Sequence, residues 1–186
     1  MPTCSSQREQ KVTRTVTIRT SSSGDLAEIE RLYPLAFPDE DLLPLVRDLL
    51  REATSVLSLV ATIDAQLAGH VVFTQARIAD RGERAALLGP LAVSPVYQRQ
   101  GVGGALVHAG LQRLEQETVD RVFVLGDPAY YGRFGFQPGS VVDPPYPLPA
   151  EWQDAWQSLS LAGSDLSRPG RLGLPDQWLQ PSLWLP

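Results

Sequence analysis

Seven residues, Gln98-Arg99-Gln100-Gly101-Val102-Gly103-Gly104, carry the plainest chemical signal in the chain. They follow an apolar run that ends at Ser94-Pro95 and lead into an amphipathic pattern. A glycine inside a helix costs about 1 kcal/mol relative to alanine, so Gly101, Gly103 and Gly104 at one helix start need a compensating role. A chain that leaves a strand, turns through glycine and enters a helix aims several free N–H groups at one point. The helix dipole adds roughly half a positive charge there. Such a point favours phosphate, and charge-assisted hydrogen bonds of about 1.5–3 kcal/mol each outweigh the cost of the glycines. The spacing departs from a dinucleotide fingerprint, which would need glycine at Leu106, and from a triphosphate loop, because no Gly-Lys-Ser/Thr follows. Read alone, the segment also fits a glycine-rich helix entry packed against a strand.

Other reactive side chains form no pattern of their own. His70 and His108 lack metal-ligand spacing with Cys4, so no metal is expected. No Ser-His-Asp arrangement can be drawn. His70 reads as a strand residue and His108 as an exposed mid-helix one. The Asp39–Asp41 cluster reads as N-terminal charge on a helix or as a source of a general base. The single cysteine excludes an internal disulfide. A net charge of −5 argues against nucleic acid. No window approaches the ~18 apolar residues of a membrane span, and the first residues lack the apolar core of a secretory signal. These features favour the cytoplasm.

The elements that must position the loop follow from periodicity. Val12–Thr20 alternates as a strand. Asp25 opens a helical pattern that Pro34 should kink or end, and Leu42, Leu43, Val46, Leu49 and Leu50 mark one face of a second helix. Ser55–Ile63 and Leu67–Ile78 read as a hairpin, and Ala85–Val93 as a buried central strand. Gly89-Pro90 inside that strand implies a bulge or local strand separation. A helix runs from Gly101 to about Glu117, then a short strand over Arg121–Gly126. Asp127 is an N-cap candidate with Pro128 at the first position of a short helix. The order predicts an α/β fold: a mixed, mostly antiparallel sheet with a βαβ crossover and helices on both faces. The expected division is a flexible N-terminus over 1–11, a core over 12–138, and a C-terminal extension over 139–186 that is part strand and part irregular. That extension is rich in proline and holds Trp152, Trp156, Trp178 and Trp184. Its tryptophans could wall a pocket, form core or face a second copy, and its best strand candidate lies in "AWQSLSLAG".

The loop resembles motif A of the GNAT acetyltransferase superfamily, (Q/R)-x-x-G-x-(G/A), and "LGDPAYYGRFGF" resembles motif B of that family. The spelling of both is similar to the YhbS-like branch. The resemblance implies the acyl-CoA N-acyltransferase fold and acetyl-CoA as cosubstrate, with no metal. It further implies that Gln98 opens the loop and that the backbones of Arg99, Gln100, Gly101, Val102, Gly103 and Gly104 hold the pyrophosphate. The pantetheine arm should pair with the backbone of Leu91, Ala92 and Val93, with the Val93 N–H as an oxyanion donor. Asp127 stands where the family often sets a polar residue against the arm. Tyr131 occupies the position of the family's thiolate proton donor, with a packing role as the alternative, and adjacent Tyr130, which should point in a different direction, is expected among the cofactor-binding residues. For Arg133 a structural ion pair is expected. The implied reaction is direct acetyl transfer to a primary amine, borne by a small molecule or a peptide, within a ternary complex. A non-catalytic acyl-CoA sensor, a longer acyl donor and a homodimer all fit the same residues. Many family members carry a Glu on the strand before motif A. Here that strand has no ionisable group.

Overall fold

A computed structural model describes residues 15–52, 55–79, 82–161 and 168–185. Chain order begins with β1 (Thr17–Thr20), α1 (Leu26–Ala36), α2 (Leu43–Arg51), β2 (Val56–Ile63), β3 (Gln66–Ile78) and β4 (Arg84–Val93). There follow α3 (Val102–Gln116), β5 (Arg121–Leu125) and α4 (Pro128–Tyr131). Four short strands close the chain: β6 (Gln137–Pro138), β7 (Val142–Asp143), β8 (Trp156–Ser160) and β9 (Gly170–Gly173). The strands lie in the order β1-β2-β3-β4-β5-β8-β6, with β9 joining the far end of β3 and pairing β7. All neighbours on the main path are antiparallel except β4 and β5, which α3 connects as a parallel crossover. The mixed sheet and the crossover are those expected from the sequence.

Two differences stand beside one expectation about the tail. Val12–Arg14 and Cys4 lie outside the described residues, and β1 starts at Thr17. Pro34 does not end α1 where it stands. It sits in the last turn, where only one backbone bond is lost, and the Phe37 N–H still reaches Tyr33 O at 2.8 Å. The strand expected in "AWQSLSLAG" is present as β8, which inserts between β5 and β6 and so stands inside the sheet.

Packing assigns the two faces. Phe73, Leu88, Val102, Leu106, Val107 and Val124 share one core under α3. Leu49, Leu87, Phe123, Trp156, Trp178 and Trp184 share the other, between α2 and the tail. The three tryptophans are 4%, 8% and 1% exposed. A buried aromatic of this size removes 150–250 Å² from water, worth roughly 4–6 kcal/mol at about 25 cal/mol per Å². A 3-10-rich tail with little hydrogen-bonded structure is therefore held by its indoles.

Candidate active site

The bulge that Gly89-Pro90 implies is present, and that peptide is cis. Val71 faces Leu91 while Phe73 faces Leu88, so two β4 residues oppose one on β3. The ladder between β4 and β5 runs only from Ala85↔Arg121 to Leu88↔Val124. Beyond it the two strands part. The Ser94 N–H donates to Ala68 O at 2.9 Å. Alternation in an antiparallel pair then turns the Ala92 backbone toward His70 on β3. Leu91 and Val93 turn theirs the other way, into the gap. Of the three backbones expected along the arm, Ala92 is thus spent on the ladder.

The glycine loop is braced from within. Gln98 Nε2 donates to Val93 O at 3.1 Å, and Gln100 Nε2 donates to Val96 O at 2.8 Å. Both amides therefore shape the loop. Arg99 has φ 59° and Gly101 φ 85°, and at Gly101 the left-handed turn is what glycine takes without a side-chain clash. The Ala105 N–H is bonded to Gly101 O at 2.9 Å. The amides of Val102, Gly103 and Gly104 come before that bond, at the position where a helix leaves its donors free.

These amides open onto a cavity of about 710 Å³ walled by Val93, Gln98, Arg99, Gly101–Gly104, His108, Tyr130 and Arg133. Tyr130 Oη lies over the loop, 2.5 Å from where a β-carbon on Gly103 would stand, so only a bare α-carbon fits beneath it. The Arg133 guanidinium stacks on the Tyr130 ring at 4.4 Å, and its Nε donates to Tyr130 O at 3.1 Å. The expected ion pair for Arg133 is replaced by this cation–π contact, which leaves its charge at the wall of the cavity. Two arginines and three helix-start amides make the pocket cationic on a chain of net negative charge.

A second cavity of about 340 Å³ meets the gap from the other face. Leu91, Gly126 and Tyr131 line its inner end, and Trp178 and Trp184 its wall. Phe37, Glu40 and Leu42 from the α1–α2 connection line it as well. Val93 borders the first cavity and Leu91 the second. Tyr130 borders the first and Tyr131 the second. The adjacent tyrosines thus face opposite ends of one opening, with ring centroids 5.0 Å apart. A β-carbon on Gly126 would overlap the Tyr131 ring, with Cδ2 only 2.9 Å away. Burial, with Tyr130 beside it, pushes the Tyr131 phenol well above the usual tyrosine range. It remains a proton carrier at neutral pH.

Some expected residues stand apart. Asp127 accepts from the Ala129 N–H at 2.8 Å as the N-cap of α4, and it lines neither cavity. His108, exposed beside Phe134, is in the wall of the first cavity, whereas His70 is fully buried on β3. Sequence reasoning passed over Gln157, which is 0% exposed and donates to Gly126 O at 3.0 Å, anchoring the chain just ahead of α4. A lone glutamine among alternating strand residues gives no signal of that role. Trp178 and Trp184 prove to be core and cavity wall at once, with no periodicity to announce it.

The chain matches the family model described as Acetyltransferase (GNAT) family over residues 25–136, well over half its length. It is 35% identical over 169 residues to the N-acetyltransferase YjhQ of Escherichia coli K12, covering 86% of this chain and 92% of that one. It is also similar to YhbS of Escherichia coli, at 36% identity over 121 residues, 64% of this chain and 72% of the relative. The crystal structure of Escherichia coli YhbS in complex with CoA superposes with a TM-score of 0.81 at 29% identity, covering 93% of this chain and 97% of that one. A GNAT family acetyltransferase from Brucella melitensis, in complex with acetyl-CoA, superposes with a TM-score of 0.70 at 29% identity, covering 88% and 98%. The fold and the site therefore define an acyltransferase. The chain belongs to the GNAT acetyltransferase family.

Proposed function

We propose that this protein transfers acetyl from acetyl-CoA to a primary amine by direct attack in a ternary complex. The observation that carries the reading is the gap between β4 and β5, with a cationic amide-lined cavity at one end and a largely apolar cavity at the other. The residues present fit the cosubstrate. The amides of Val102, Gly103 and Gly104, with Arg99 and Arg133, suit its phosphates. The gap-facing backbones of Leu91 and Val93 suit the amides of the pantetheine arm. The relatives solved with CoA and acetyl-CoA support this assignment.

In the transfer, the amine nitrogen forms a bond to the thioester carbonyl carbon and the C–S bond breaks. The Val93 N–H is the donor placed to stabilise charge on the carbonyl oxygen. The amine loses a proton to solvent or a carboxylate, and Tyr131 gives its phenolic proton to the departing thiolate. A phenol held protonated by burial keeps that proton until sulfur becomes basic. Tyr131→Phe should therefore lower turnover at least tenfold while the affinity for acetyl-CoA stays within about twofold, read by CoA release and by calorimetry. Equal turnover would remove Tyr131 from the chemistry.

A further inference from the structure

The second cavity says what kind of amine it can hold, and the inference rests on the transfer reading just given. Its walls are leucine, phenylalanine and indole, and the indole N–H groups are turned away to partners of their own. Trp178 Nε1 donates to Thr74 Oγ1 at 3.0 Å, and Trp184 Nε1 donates to Trp178 O at 2.9 Å. The aromatic wall thus offers carbon surface alone. Glu40 is the one carboxylate among its lining residues, and Tyr131 the one hydroxyl. A second ammonium would have Glu40 alone to pair with, and a set of sugar hydroxyls Glu40 and Tyr131 alone, so either would give up more water here than these walls replace.

The acid at the site and the missing base have one explanation. A single ammonium entering an apolar cavity is driven toward its neutral form by desolvation, and the neutral form is the nucleophile. The strand before the loop then has no need of an ionisable side chain. The volume sets how much of an amine the walls can cover. At ~30 Å³ per non-hydrogen atom, the volume share of one water, 340 Å³ admits about a dozen such atoms.

We infer that the acceptor is a compact monoamine with an apolar, aryl or alkyl, body that packs on Trp178, Trp184 and Leu183. Polyamines and amino sugars, which carry several groups that need polar partners, are disfavoured by the same walls. The test is a CoA-release assay on the full chain with acetyl-CoA and four amines: 2-phenylethylamine, hexylamine, spermidine and glucosamine. Acetyl-CoA binding is measured calorimetrically on the same sample. Expected is a kcat/KM for the two apolar amines at least 100-fold above the other two. Leu183→Asp, which sets a carboxylate on the wall, should raise KM for 2-phenylethylamine at least tenfold and leave acetyl-CoA binding intact. Parity among the amines, or a preference for spermidine or glucosamine, overturns the inference and leaves the transfer reading standing. Acetyl-CoA binding with no turnover of any of them overturns it too, and absent acetyl-CoA binding overturns both.

Discussion

At the scale of single residues, the site is organised by where small residues let large ones stand. Gly103 leaves room for the Tyr130 hydroxyl over the amide nest, and Gly126 leaves room for the Tyr131 ring. Gly126→Ala should displace Tyr131 and reduce turnover by an order of magnitude or more. Acetyl-CoA affinity, set on the far side of the gap, should fall far less, and kinetics beside calorimetry separates the two. The loop was legible in the sequence because phosphate binding by backbone amides demands glycine at fixed spacing. Gln157 was not, and Glu40 and the two cavity tryptophans were legible only as one alternative among several. Their roles come from which neighbours the tail and the α1–α2 connection bring together, and no local spacing encodes that.

At the scale of elements, α3 lies against β3 at close range. Gly110 is the contact point, where an added β-carbon would overlap Cε2 and Cζ of Phe73, itself 0% exposed. Alanine gains about 1 kcal/mol over glycine by helix propensity, while overpacking a tight core costs about 1–3 kcal/mol. Packing should win here, because the overlap falls on a rigid buried ring. Gly110→Ala should lower the denaturant midpoint by an amount equivalent to about 1–2 kcal/mol, with the m-value unchanged. Strands β2 to β5 were readable because burial on one or both faces writes itself as alternation or as an apolar run. β8 was readable too, in "AWQSLSLAG", while β9 was not. Its segment has four residues, and it gains order by pairing with β3 and β7 from elsewhere along the chain.

At the scale of the whole molecule, a buried polar chain ties both ends of the fold's first half together. His70 is 0% exposed on β3, with Nδ1 2.9 Å from Tyr33 Oη of α1 and Nε2 2.8 Å from Ser58 Oγ of β2. Ser21 Oγ continues the chain by donating to Ser58 Oγ at 2.6 Å. Burial drives the imidazole pKa down to about 3, and the Asp25 carboxylate opposes this only in part. A histidine depressed on folding is neutral in the native state while the unfolded chain protonates it below its ordinary value of 6.5. Unfolded chains then bind more protons, so stability rises with pH across the window between those two values. It is fully present above pH 6.5 and is lost as pH falls. Acidifying from roughly pH 6.5 to 5 should cost about 1.5 kcal/mol, measured by urea unfolding. The slope should vanish in His70→Gln, whatever that variant's absolute stability. Persistence of the slope in that variant would assign it to other groups.

The most direct measurement is a calorimetric titration of the full chain with acetyl-CoA, with ATP and NADH as controls and Gly103→Glu as the negative variant. Micromolar binding of acetyl-CoA, weak or absent binding of the two nucleotides, and loss of binding in Gly103→Glu are the expected results, because a carboxylate in the nest repels phosphate. Absence of acetyl-CoA binding in the parent chain, or undiminished binding in Gly103→Glu, would contradict the placement of the cosubstrate on the glycine loop.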